Sequence, residues 1–265
     1  MGIIDWVYDQ EIRGNYTFSQ EEVVAALPDK SKGNIKTTLG RLIKRGRLQS
    51  VYNGFYVIVP VHYQLKGVIP PTYYIDDLMR YINKPYYISL LSAAAMHGAA
   101  HQRAMYTQIM TVPPRKNETR KNPLLDWNYR QNMPTEFLLS KNAEMGVLWV
   151  SSLELTVIDL VQFAHNVGGY QRAATVLAEL CTELNIEQVV AILPYTTIAT
   201  IQRLGYLLEY VLEESQLAND LYSKISQQNQ FKSISLDTKQ PKNPNNTPNR
   251  WHVNANVEIE IDELW

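Results

Sequence analysis

Two helix-capping serines on either side of Pro28 limit what the start of this chain can become. Ser19-Gln20-Glu21-Glu22 has capping-box spacing: the serine hydroxyl meets the amide three residues on, and the glutamate reaches back to the serine amide. The helix it opens has Val23, Val24 and Leu27 as its apolar face and must end at Pro28. Ser31 is a second N-cap. Two helices joined so tightly predict a helix-turn-helix.

The second helix of the pair runs from about Lys32 to Arg45, with Ile35, Leu39, Leu42 and Ile43 on one stripe. Asn34, Thr37, Arg41, Lys44 and Arg45 fall on the opposite face. Gly33 and Gly40 flank that face. Gly40 costs about 1 kcal/mol relative to alanine, a cost that close approach of another backbone, or packing against the first helix, would explain. That first helix is read from Ile3, Ile4, Val7 and Tyr8, with Trp6 and Ile12 nearby, and stops around Gly14-Asn15. Gly46 predicts a left-handed cap. Asn53-Gly54 then separates the β-rich runs Leu48–Tyr52 and Phe55–Val59, a strong hairpin signal in which both turn residues take positive φ. Three helices and a hairpin predict a winged helix-turn-helix over residues 1–66.

Charge sharpens this reading. The chain of 265 residues has a net charge of −1, yet Lys30, Lys32, Lys36, Arg41, Lys44, Arg45 and Arg47 form an acid-free block. Such a block is either a solvated helix face or a contact for a polyanion, whose condensed counterions each bound cation would release. Donors and acceptors at the start of the helix, with cations toward its end, suit insertion into a major groove. The candidate DNA-binding residues are therefore Lys32, Asn34, Lys36, Thr37, Arg41, Lys44, Arg45 and Arg47, with Tyr52 and Asn53 on or near the wing.

Residues 60–71 read as a linker, and a larger mixed α/β domain follows over 72–265, so the fold class is α+β. Helices are expected over 73–81, 88–100, 170–184, 196–213 and 217–225, and one capped by Ser151 or Ser152. Strands are expected over 106–112, 125–130, 135–139 and 146–150. Gly168-Gly169 reads as a helix–helix turn, since no lysine or third glycine follows to make a phosphate cradle. Arg115, Lys116, Arg120 and Lys121 form a polar loop or a second phosphate contact. Residues 226–250 are poor in apolar side chains and should be mobile. Val257-Glu-Ile-Glu-Ile-Asp262 alternates as an edge strand or as an acidic surface for a basic partner.

Catalytic patterns are missing. His97 and His101 lie four apart without a glutamate between them or an evident third ligand. Asp126 and Glu136 have a nuclease-like separation, but Leu138 stands where a lysine would be needed. Cys181, the one cysteine, sits among leucines as a buried hydrophobe. No enzyme, cofactor or metal is expected. With no spanning segment and no secretory signal, a cytoplasmic protein without a membrane partner is expected.

Ile35-Lys-Thr-Thr-Leu-Gly-Arg-Leu-Ile-Lys-Arg-Gly-Arg-Leu48, Gly54-Phe-Tyr-Val-Ile-Val-Pro60, Tyr74-Ile-Asp-Asp-Leu-Met79 and Tyr86-Tyr-Ile-Ser-Leu-Leu-Ser-Ala-Ala-Ala-Met-His-Gly-Ala-Ala-His-Gln102 resemble AbiEi-type antitoxins. Val150-Ser-Ser-Leu-Glu-Leu-Thr-Val-Ile-Asp-Leu160 and Gly168-Gly-Tyr-Gln-Arg-Ala-Ala-Thr-Val-Leu-Ala-Glu-Leu180 are similar to the same family. The resemblance implies a winged-helix repressor that binds inverted repeats in its own promoter. It also implies a cognate toxin, nucleotidyltransferase-like and encoded nearby, antagonised directly or indirectly. The alternative is a winged-helix regulator whose larger domain senses a ligand or protein signal.

Overall fold

The computed structural model describes residues 1–64, 69–99, 106–114, 124–143, 145–227 and 230–261. His101, the Arg115–Lys121 loop and Asp262 lie outside the described residues.

The chain opens with α1 (Ile3–Ile12), β1 (Thr17–Ser19), α2 (Gln20–Ala26), α3 (Lys32–Lys44), β2 (Leu48–Tyr52) and β3 (Phe55–Ile58). Both serine caps form. Ser19 Oγ accepts from the Glu22 amide at 3.1 Å, Glu22 accepts from the Ser19 amide at 2.5 Å, and Ser31 Oγ accepts from the Asn34 amide at 3.2 Å. The strands make an antiparallel sheet in the order β1-β3-β2. β1 is too short to show alternation, so its residues looked only like a lead-in to the Ser19 cap. Trp6 meets Phe18 edge-on at 5.2 Å, and Phe18 stacks on Tyr56 at 5.6 Å, over a core of Val23, Ile35 and Leu39.

The hairpin corrects one expectation. Gly54 has φ +74°, but Asn53 is not left-handed, and the register shifts between Ser50 and Tyr52. A bulge there supplies local twist that a turn with two positive-φ residues would otherwise provide. The other face of the hairpin points away from the helices. Val51, Phe55, Val57 and Val59 pack with Ile69, Tyr73, Tyr74, Leu78, Met79 and Tyr86. The predicted linker is thus partly structure: α4 (Val61–Gln64), a buried Ile69 and a 3-10 turn at Pro71–Tyr73. Its apolar residues had a surface to bury against.

Next come α5 (Ile75–Tyr81), β4 (Tyr86–Ile88), α6 (Leu90–Met96), β5 (Thr107–Thr111), β6 (Leu125–Tyr129), β7 (Leu138–Ala143) and β8 (Gly146–Ser151). The strands form a mixed sheet in the order β6-β5-β4-β8-β7. β4 was not foreseen because both its faces are buried, which removes the alternation. Residues 135–137 form a 3-10 turn rather than a strand.

α7 (Leu153–Gln162), α8 (Tyr170–Leu180), α9 (Ile186–Ala191), α10 (Ile198–Tyr210) and α11 (Ser215–Ile225) cover one face of the sheet. Ser152, not Ser151, caps α7. Inside this layer Arg130 Nη1 donates to Asp159 at 2.9 Å and to Tyr87 Oη at 2.7 Å, while Tyr87 donates to Asp159 at 2.8 Å. Burial pushes the Asp159 carboxyl up to about 6, although Arg130 and Tyr87 both favour its ionised form.

Residues 226–250, poor in apolar side chains, touch the helical layer at several points, the Lys232 and Ser235 carbonyls accepting from Gln202 and Arg203. Short strands β9 (Ile234–Ser235) and β10 (Val253–Asn254) pair in parallel, and Trp251 is fully buried. Asparagine side chains take the place of apolar ones in tying the loops together. Asn254 Oδ1 accepts from the Asn243 amide at 2.8 Å, and Asn256 Oδ1 from the Asp237 amide at 3.0 Å. Residues 257–261 form no strand. Val257, Ile259 and Ile261 pack on the helical layer, and the Glu260 amide donates to Gln171 at 3.0 Å.

Candidate nucleic-acid interface

α3 is anchored by Ile35 and Leu39, both fully buried, and by Leu42. Its outward face holds Lys32, Asn34, Lys36, Thr37, Arg41, Lys44 and Arg45, every one of them exposed. No acid among the described residues forms an ion pair with Lys32, Lys36, Arg41, Lys44 or Arg45. Several arginines elsewhere are paired: Arg13 with Asp9, Arg80 with Asp76 and Asp77, Arg130 with Asp159, and Arg250 with Glu209. A cluster of unpaired positive charge on one helix face is costly to the compact state through self-repulsion and attractive to a polyanion.

The face is also low. A Cβ built on Gly40 would meet nothing within 4 Å, and one on Gly33 would reach only Ser31 Oγ at 4.0 Å. Among the described residues, neither another backbone nor the first helix reaches within 4 Å of the place a Gly40 side chain would take. Asn34 Oδ1 accepts from Thr38 Oγ1 at 3.2 Å, which steadies the amide.

Three of the ten sequence candidates sit differently. Arg47 is paired with Glu11 of α1 at 2.7 Å and lies apart from the exposed group. Tyr52 meets Tyr81 of α5 edge-on at 6.4 Å between ring centroids, and the Asn53 carbonyl accepts from Tyr81 Oη at 3.2 Å. The hairpin tip therefore rests against α5. Nothing in the sequence signalled Tyr81, because this contact exists only in the tertiary structure. A Cβ on Gly54 would come within 2.9 Å of that hydroxyl, so a glycine there serves both the turn and the docking.

The other candidates for chemistry are occupied. His97 Nε2 lies 2.7 Å from the Ser151 carbonyl, Asp126 accepts from Gln108 at 3.0 Å, and Glu136 accepts from Tyr195 at 2.5 Å. Burial pushes the Cys181 thiol up to about 12, far from the range of a nucleophile. Among the described residues no group of three or more His, Cys, Asp or Glu could hold a metal ion. No helix there is long and apolar enough to cross a membrane.

Residues 87–210 match the family model described as the AbiEi antitoxin C-terminal domain. No curated protein matches the chain significantly. Among solved structures, the RV2827C protein from Mycobacterium tuberculosis is similar in fold, with a TM-score of 0.66 and 14% identity, covering 93% of this chain and 88% of that one.

Proposed function

We propose, for a chain whose residues 87–210 carry the AbiEi antitoxin C-terminal domain, a DNA-binding antitoxin that represses its own operon. In this reading residues 1–66 are a winged helix-turn-helix and α3 is the helix that enters the major groove. Residues 72–265 act against a cognate, nucleotidyltransferase-like toxin, and neither part is an enzyme. The observation that carries the DNA half is the exposed, acid-free cation face of α3, lowered by Gly33 and Gly40. Asn34 and Thr37 would meet base edges, while Arg41, Lys44 and Arg45 would meet phosphates. Arg47 contributes to the surrounding positive field but is held by Glu11. Tyr52 and Asn53 approach the backbone only on the side that Tyr81 leaves open.

The test is binding of the purified chain to the DNA upstream of its own operon. Replacing Arg41 and Arg45 together by alanine is expected to weaken binding by at least about tenfold, because two phosphate contacts are lost. Thermal unfolding should stay unchanged, since both side chains are exposed and unpaired. Native-like affinity in the double variant would show that α3 is not the contact. The antitoxin half is tested by co-expression with the neighbouring toxin gene, where relief of toxicity should survive that same substitution.

A further inference from the structure

α1 is apolar on two sides, and the fold covers only one of them. Ile3, Trp6 and Val7 are buried in the N-terminal core. Ile4, Tyr8 and Ile12 are 54%, 59% and 67% exposed, and they recur every fourth residue. Such spacing makes a continuous stripe along the whole helix. We propose that this stripe pairs with the same stripe of a second copy of the chain, the two α1 helices running antiparallel with Tyr8 at the two-fold axis.

Charge on the flank of the stripe matches an antiparallel second copy better than a parallel one. Asp5, Asp9 and Arg13 each follow a stripe residue by one position and so line one flank. In an antiparallel pair Ile4 of one copy packs on Ile12 of the other, and Asp5 of one copy faces Arg13 of the other. The same register brings the two Asp9 side chains together, each with its own Arg13 beside it, whereas a parallel pair would set Asp5 against Asp5, Asp9 against Asp9 and Arg13 against Arg13 with no opposite charges facing. The Arg13 side chain, bound to Asp9 at 2.9 Å, is still 65% exposed and can serve both carboxylates.

Size sets the strength. A ten-residue helix is about 15 Å long, so this contact falls well short of the roughly 1,200 Å² that a stable dimer buries. The pair is weak in free solution and forms when two copies are held close together, as adjacent half-sites would hold them at an effective concentration near the millimolar range. That last step rests on the DNA-binding reading; the pairing itself does not.

Disulfide trapping of the full chain without DNA separates the two. The native Cys181 is buried and stays inert. Tyr8→Cys is expected to form a cross-linked dimer under mild oxidation at high protein concentration. Ile4→Cys and Ile12→Cys should each cross-link poorly alone and efficiently when mixed. Ser50→Cys, exposed on the hairpin, sets the background. Tyr8→Cys no faster than that background, or Ile4→Cys cross-linking alone as readily as in the mixture, would overturn the proposal. On DNA carrying two half-sites, Tyr8→Glu should reduce cooperativity by about tenfold or more with single-site affinity unchanged. Trapping that succeeds while DNA binding is absent would retire the DNA reading and keep the pairing.

Discussion

Gly40 stands in the interior of a helix with empty space where its side chain would be. Helix propensity alone favours alanine there by about 1 kcal/mol. Gly40→Ala is therefore expected to stabilise the protein by roughly 0.5–1 kcal/mol in denaturant titrations and to weaken operator binding. A variant both more stable and equally tight would remove close DNA approach as the reason for the glycine. His97 gives a second residue-level prediction. Its burial lowers the imidazole below its ordinary 6.5, partly opposed by the hydrogen bond to Ser151. Between that lowered value and 6.5 the unfolded chain binds more protons than the folded one, so stability rises with pH in this window and is lost on acidification. His97→Gln should therefore lose less stability than the native chain between about pH 7.5 and about pH 5, as read by denaturation at each pH.

At the scale of elements, α10 and the C-terminal strap depend on each other through one glycine. A Cβ on Gly205 would fall 2.2 Å from the Trp251 ring, and Trp251 Nε1 donates to Glu209 at 2.6 Å while Arg250 pairs with the same carboxylate at 2.7 Å. Gly205→Ala should cost about 3 kcal/mol, near the upper end for overpacking, measurable as a lower denaturation midpoint. The α3 stripe and both serine caps were legible in sequence because they are local patterns with fixed spacing. The Trp251–Gly205 contact was not, since it joins residues 46 apart, and a polar stretch gave no hint that asparagines would order it. The same limit hid the nature of α1. Its apolar residues were read as one amphipathic face, and only the packing divides them into a buried set and an exposed set. Similarly, the exposure of α3 was foreseen, whereas the restraint of the hairpin tip by Tyr81 was not.

On the scale of the whole molecule, the hairpin β2–β3 is a shared wall. Leu48, Tyr56 and Ile58 face the three helices, while Val51, Phe55 and Val57 face α5 and the larger sheet. An apolar junction of this kind ties the orientation of α3 to the rest of the chain, so in the proposed reading DNA held by α3 would act on the same packed body that carries the larger domain. What the account requires above all is that the outward face of α3 meets phosphates. The direct measurement is the salt dependence of operator affinity for the native chain, Arg41→Ala and Asn34→Ala. A steep native slope is expected, with about 0.9 removed from its magnitude by Arg41→Ala and none by Asn34→Ala, which should instead lower the preference for operator over unrelated DNA. A slope that Arg41→Ala leaves unchanged would contradict the account.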